Sequence, residues 1–153
     1  MPLPIRSISR APNTTPKLPA SGKVFISVRN SDKPKVVEIA RTLAQLGFQL
    51  LATRGTAASL AEAGLVVTPV NKVMEGRPHI VDMIKNGEIA MIINTVDEKR
   101  ASIQDSYSIR RSALQGRVTY YTTVAGARAA CSGMQAMREL RAYSVQSLHA
   151  RLH

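Results

Sequence analysis

The chain has 153 residues, 44% hydrophobic and 20% charged, which is the size and composition of one globular domain and excludes a wholly disordered chain. With 21 Lys and Arg against 10 Asp and Glu, the net charge is +11, pointing to anionic partners: nucleic acid, phosphorylated small molecules or an acidic protein surface. The single cysteine excludes an intramolecular disulfide and a Cys-cluster zinc site, no apolar run approaches the ~20 residues of a membrane span, and 4% aromatic residues without Trp make a poor base-stacking platform.

Residues 1–20 hold Arg6, Arg10, Lys17 and five of the eight prolines, and no acidic residue precedes Asp32. Such a segment has little to bury and cannot form a continuous helix, so it reads as a disordered basic arm. Its prolines oppose the amphipathic helix of a transit peptide, and no signal-peptide apolar segment is present. The remaining body, 21–153, carries 18 basic against 10 acidic residues and keeps a charge of +8.

Strand and helix patterns alternate from Lys23 onward. Lys23–Val28 is a β-rich run. Ser31 or Asp32 can cap a helix that tolerates Pro34 in its first turn and carries Val36, Ile39, Ala40 and Leu43 at helical spacing up to Gly47. Phe48–Thr53 is a second strand, and Thr56 can cap a helix from Ala57 to Ala63, stopped by Gly64. Val66–Val70 is a third strand, followed by the loop Glu75-Gly76-Arg77-Pro78-His79 and a short helix with Ile80, Met83 and Ile84. Ile89–Asn94 is apolar on consecutive positions, as a strand buried on both faces requires. Asp105 is placed to cap a helix through Leu114, stopped by Gly116. Val118–Tyr121 is a fifth strand, Thr122 or Thr123 opens an Ala/Gly-rich helix to about Met137, and Val145, Leu148 and Leu152 suggest a final short helix. Five βα units predict an α/β fold, with a mainly parallel five-stranded sheet between helices in three α/β/α layers.

In open α/β sheets, ligands bind beyond the carboxyl ends of the strands. That rim holds Asn30-Ser31-Asp32-Lys33, Thr53-Arg54-Gly55-Thr56, Asn71-Lys72, Asn94-Thr95 and Thr122-Thr123. Gly55 lets a ligand approach the backbone where a helix opens, and helix N-terminal N–H groups attract anions. Thr53 and Thr56 add hydroxyls, and Lys33 and Lys72 add compact positive charge, so the pattern fits phosphate. A strand-end turn with ordinary caps is the plainer alternative.

Catalytic constellations are thin. His79 follows Pro78 at a helix start, where ordering the loop is the simpler role. His149 and His153 lie in the tail, Cys131 reads as a small buried residue of an Ala-rich helix, and Arg110-Arg111 reads as a solvated or interface face. No Ser/His/Asp set, Walker loop or G-x-G-x-x-G is present. No cofactor, metal ligand set or catalytic residue is expected.

Lys17–Arg29 (KLPASGKVFISVR), Ala52–Thr56 (ATRGT), Val70–Glu88 (VNKVMEGRPHIVDMIKNGE), Ile92–Thr95 (IINT) and Asp105–Leu114 (DSYSIRRSAL) resemble the C-terminal allosteric domain of the carbamoyl-phosphate synthetase large subunit, a methylglyoxal synthase-like domain. The resemblance implies a regulatory unit, not catalytic alone, within a glutamine-hydrolysing cytoplasmic ligase of pyrimidine and arginine biosynthesis. It implies nucleotide monophosphate effectors, UMP inhibiting and IMP activating. It also implies contact with the remaining domains of the large subunit, through them with the small subunit, and self-association. By this resemblance Lys33, Thr53, Gly55, Thr56 and Lys72 hold the phosphate, and Asn94 and Thr95 face ribose and base.

Departures from the family pattern matter. A second threonine after Asn-Thr is Val96 here, which removes a hydroxyl from the base. The Tyr-Asp-Thr-Thr stretch of the ornithine region, where this domain meets the last synthetase domain, reads Tyr120-Tyr121-Thr122-Thr123, so ornithine's ammonium loses an acidic partner. Methylglyoxal synthases carry a G-P-L-G-G-D-Q-Q-type loop and a catalytic aspartate, where this chain has E-G-R-P-H. No ATP domain of the synthetase fits in 153 residues, so the expected chain is an excised or split fragment or a free-standing regulator. The alternative from another class is a free-standing basic module binding nucleic acid through charge.

Overall fold

The computed structural model describes residues 22–71, 79–96 and 100–152; the expected arm (1–20) and Lys72 lie outside them. Five strands, β1 (Lys23–Ser27), β2 (Gln49–Ala52), β3 (Val67–Pro69), β4 (Ile89–Asn94) and β5 (Thr119–Tyr121), form one sheet in the order β3-β2-β1-β4-β5. Every pairing is parallel. The helices are α1 (Lys33–Gln45), α2 (Arg54–Glu62), α3 (Ile80–Lys85), α4 (Arg100–Gln115) and α5 (Val124–Leu152), and a 3-10 turn, Asn30–Asp32, precedes α1.

Strand alternation sorts the apolar side chains to two faces. Val24, Ile26, Leu50, Ala52, Met91 and Ile93 share one buried cluster with residues of α1, α2 and α5, such as Leu43, Leu60 and Cys131. Phe25, Leu51 and Ile92 share the other with Ile80 and Ile84 of α3 and Ile109 and Ala113 of α4. These are the three α/β/α layers expected from the βα alternation. One irregularity interrupts the period of two. Lys23 pairs with Ile89 but Val24 with Met91, so Ile89 joins the cluster of Ile92, opposite Met91, as an extra residue in a ladder demands. Gly22, at φ +126°, lies beside that extra residue, and a Cβ on it would come within 2.9 Å of the Ala90 Cβ.

Three helix boundaries differ from the sequence expectation. Helix α2 begins at Arg54 with Thr53 in the cap position, so Thr56 is inside the first turn rather than capping. Helix α4 begins at Arg100, five residues before Asp105; nothing from Arg100 to Gln104 is Gly or Pro, so no residue there stops the helix from extending backward. The two helices expected after β5 are one 29-residue helix, α5, because Gly133 lies inside it without ending it and no proline follows.

Candidate functional site

The order β3-β2-β1-β4-β5 makes the chain reverse direction across the sheet between β1 and β4, and crevices open at such switch points beyond the strand carboxyl ends. Two neighbouring groups of polar residues flank the end of β1.

The first lies between β1 and β2. The chain leaves β2 straight into α2: Thr53 is extended, and its carbonyl accepts the Ala57 N–H at 2.7 Å. Its hydroxyl donates to Thr56 Oγ1 at 3.3 Å and lies 3.4 Å from Ser27 Oγ. Thr56 Oγ1 also accepts the Val28 N–H at 3.3 Å. Both threonines are buried, so they fasten the first turn of α2 to the end of β1. Lys33 opens α1 across the gap, and its Nζ lies 2.9 Å from the point a Cβ on Gly55 would occupy. The absence of a side chain on Gly55 leaves room for the ammonium in this position. An ammonium and the N–H groups of the first turn of a nine-residue helix thus converge, held in place by the hydroxyl pair beneath them, which is what a phosphate group needs. We call this the cradle.

Across β1, the β4 end is held differently. Thr95 Oγ1 accepts the Arg29 N–H at 3.0 Å, and the Thr95 N–H donates to the Ser27 carbonyl at 3.0 Å. Asn94 Nδ2 donates to Tyr120 Oη at 2.8 Å and to Ser106 Oγ at 3.3 Å. Asn94 therefore braces β4 against β5 and α4 through its amide nitrogen. Beyond Thr95 opens a crevice of about 350 Å3, lined by Arg29, Asp32, Lys35 and Val96 and by the start of α5 from Thr122 to Ala125.

The structure thus brings Lys33, Thr53, Gly55 and Thr56 together and puts Thr95 and Thr122 around the adjoining crevice. Tyr120 braces Asn94, and Tyr121 packs toward the α1/α2/α5 core. Asp32 stands at the α1 cap position, yet its carboxylate makes no cap bond; it accepts from Arg29 Nε at 2.8 Å. Thr123 does cap α5, accepting the Gly126 N–H at 3.0 Å. Sequence reasoning passed over Ser27, Arg29 and Lys35. The available signal was the position of Arg29 just past β1, with Asp32 three residues on. His79 is buried at the start of α3, where its backbone N–H donates to Asp82 Oδ2 at 3.3 Å. Burial pushes the Cys131 thiol up to about 11, so it is protonated and unreactive near neutral pH. Among the described residues no group of His, Cys, Asp and Glu could hold a metal ion, and no helix is long and apolar enough to cross a membrane.

Residues 35–122 match the model of the MGS-like domain. The chain belongs to that family. It is 57% identical over 136 residues to the carbamoyl phosphate synthase large chain of Ralstonia nicotianae, covering 89% of this chain and 13% of that protein. The large chains of Xanthomonas axonopodis pv. citri and Neisseria meningitidis serogroup A are 55% and 52% identical over the same length. The chain spans about an eighth of the length of these relatives. Among solved structures, methylglyoxal synthase from Elizabethkingia anophelis superposes with a TM-score of 0.61 at 20% identity, over 75% of this chain and 80% of that one; this likeness shows the fold.

Proposed function

We propose that this MGS-like domain is an effector-binding regulatory unit of a carbamoyl-phosphate-synthesising ligase, and that its effectors are nucleoside monophosphates of the UMP and IMP kind. The observation that carries the reading is the Lys33 ammonium directly over Gly55 at the first turn of α2. The phosphate sits against that ammonium and the N–H groups of Gly55 and Thr56, with Lys72 as a second cation. The nucleoside then extends past the end of β1 toward Asn94 and Thr95. Val96 offers the base an apolar surface in place of a hydroxyl.

Regulation follows if the nucleotide has unequal affinity for two arrangements of this domain against the rest of the synthetase, since a ligand shifts an equilibrium only by that difference. The basic surface steers anions toward the rim. The domain works in the cytoplasm, beside the enzyme's other domains, in pyrimidine and arginine synthesis. A thermal-shift titration with UMP and IMP, with inorganic phosphate as control, tests the reading. Ligand at ~100 times its Kd raises stability by roughly 2.7 kcal/mol, about 5–10 °C for a domain of this size. A saturable shift larger than that with phosphate is expected. No shift with either nucleotide contradicts nucleotide binding by this domain.

A further inference from the structure

We propose that the crevice between the ends of β1, β4 and β5 is a second anion site, distinct from the cradle, taking a small oxyanion such as a phosphate or carboxylate group. The argument is a census of donors and acceptors. Among the described residues of the lining Asp32, 4% exposed, brings the only carboxylate, and Arg29 Nε already donates to it at 2.8 Å, with Lys35 Nζ at 4.0 Å from its other oxygen. Held by Nε and by its own backbone N–H on Thr95, Arg29 keeps both terminal Nη groups without a partner among the described residues, in a side chain half exposed to solvent. Thr95 Oγ1 accepts from Arg29, and Thr123 Oγ1 accepts from Gly126; each hydroxyl proton remains to be donated. Thr122 is exposed and adds another hydroxyl. The N–H groups of Val124 and Ala125, in the first turn of α5, have no intrahelical acceptor by helix geometry.

Among the described residues the crevice therefore presents two cations, three hydroxyls and helix N–H groups around one carboxylate already engaged. Its ligand must bring acceptors and negative charge, and a fork of two guanidinium nitrogens suits the oxygens of a phosphate or carboxylate. An alkylammonium ligand would meet repulsion from Arg29 and Lys35 and find no acidic partner at Tyr121. The site does not require the nucleotide reading: none of its groups belongs to the cradle, and only Thr95 and Val96 are shared with the proposed path of the nucleoside.

The test is a titration of the 15N-labelled chain with inorganic phosphate, followed by amide shifts in two sets: Val96, Val124 and Ala125 for the crevice, Gly55 and Thr56 for the cradle. The crevice set is expected to move along its own saturable curve. Arg29→Gln weakens that curve about tenfold, the scale of losing a charge-assisted hydrogen bond. Lys35→Gln, an exposed position that leaves Asp32 paired with Arg29, weakens it severalfold and keeps the test decisive should Arg29→Gln misfold. Lys33→Gln leaves it unchanged, and putrescine moves none of the crevice amides. The proposal is overturned if the crevice set stays still, moves linearly without saturating, follows Lys33→Gln, or responds to putrescine as to phosphate. Silence of the cradle set alone bears on the nucleotide reading and leaves this site standing.

Discussion

The cradle and the crevice lie on either side of β1 and use the same residue types in opposite ways. In the cradle the hydroxyls of Thr53 and Thr56 turn inward, 3% and 1% exposed, and tie α2 to β1; only Lys33 and the helix N–H groups face outward. In the crevice Thr122 and Thr123 are exposed, and the buried Asp32 serves to aim Arg29. The lesson is that a threonine motif at a strand end can fix the scaffold rather than touch the ligand. Substitutions in the cradle should therefore separate into those that cost stability and those that cost binding. Substitution of the exposed crevice hydroxyl of Thr122 should cost little stability, whereas Thr123 caps α5 and Thr95 holds the Arg29 N–H.

The largest effect is expected at Thr56. Thr56→Val keeps the shape but leaves the buried Val28 N–H without its acceptor, which costs about 1–3 kcal/mol, read by urea denaturation. Lys33→Gln should do the reverse: nucleotide affinity falls at least about tenfold, or 1.4 kcal/mol, while the urea midpoint hardly moves. Gly55→Ala separates the two roles within one residue. Alanine favours the helix by up to about 1 kcal/mol, yet its Cβ would displace the Lys33 ammonium, the movable end of a long side chain. Stability holds or rises as nucleotide binding weakens severalfold, measured by denaturation and calorimetry on one preparation. Thr122→Ala, the smallest, should stay within about 0.5 kcal/mol of the parent in stability.

The fold was largely legible because its signals are local. Ile89–Asn94 is apolar at successive positions, which only a strand covered on both faces tolerates, and the helix stops at Gly47, Gly64 and Gly116 mark turns in the structure. Helix starts were less legible. Thr56 looks like a cap, but the cap position falls to Thr53 because β2 passes into α2 without an intervening turn. Asp105 looks like another, but no local breaker prevents Arg100 from starting the helix. The site was legible as a list of rim residues: Lys33, Thr53, Gly55 and Thr56 do converge. The division of labour was not legible, since it depends on contacts between residues far apart in sequence. Val28 with Thr56, Arg29 with Thr95, and Asn94 with Tyr120 are separated by 28, 66 and 26 residues. Arg29 escaped notice in part for that reason: Asp32 is three residues on, but Thr95 meets the Arg29 N–H only once β4 lies beside β1.

The most direct measurement is a calorimetric titration of UMP and IMP into the 153-residue chain and into its Lys33→Gln variant, under one buffer and salt condition. The account predicts saturable binding to the parent chain, with Kd raised at least about tenfold in the variant while both fold alike. Equal affinity in the two proteins would contradict it, because the phosphate would then lie somewhere other than over Gly55.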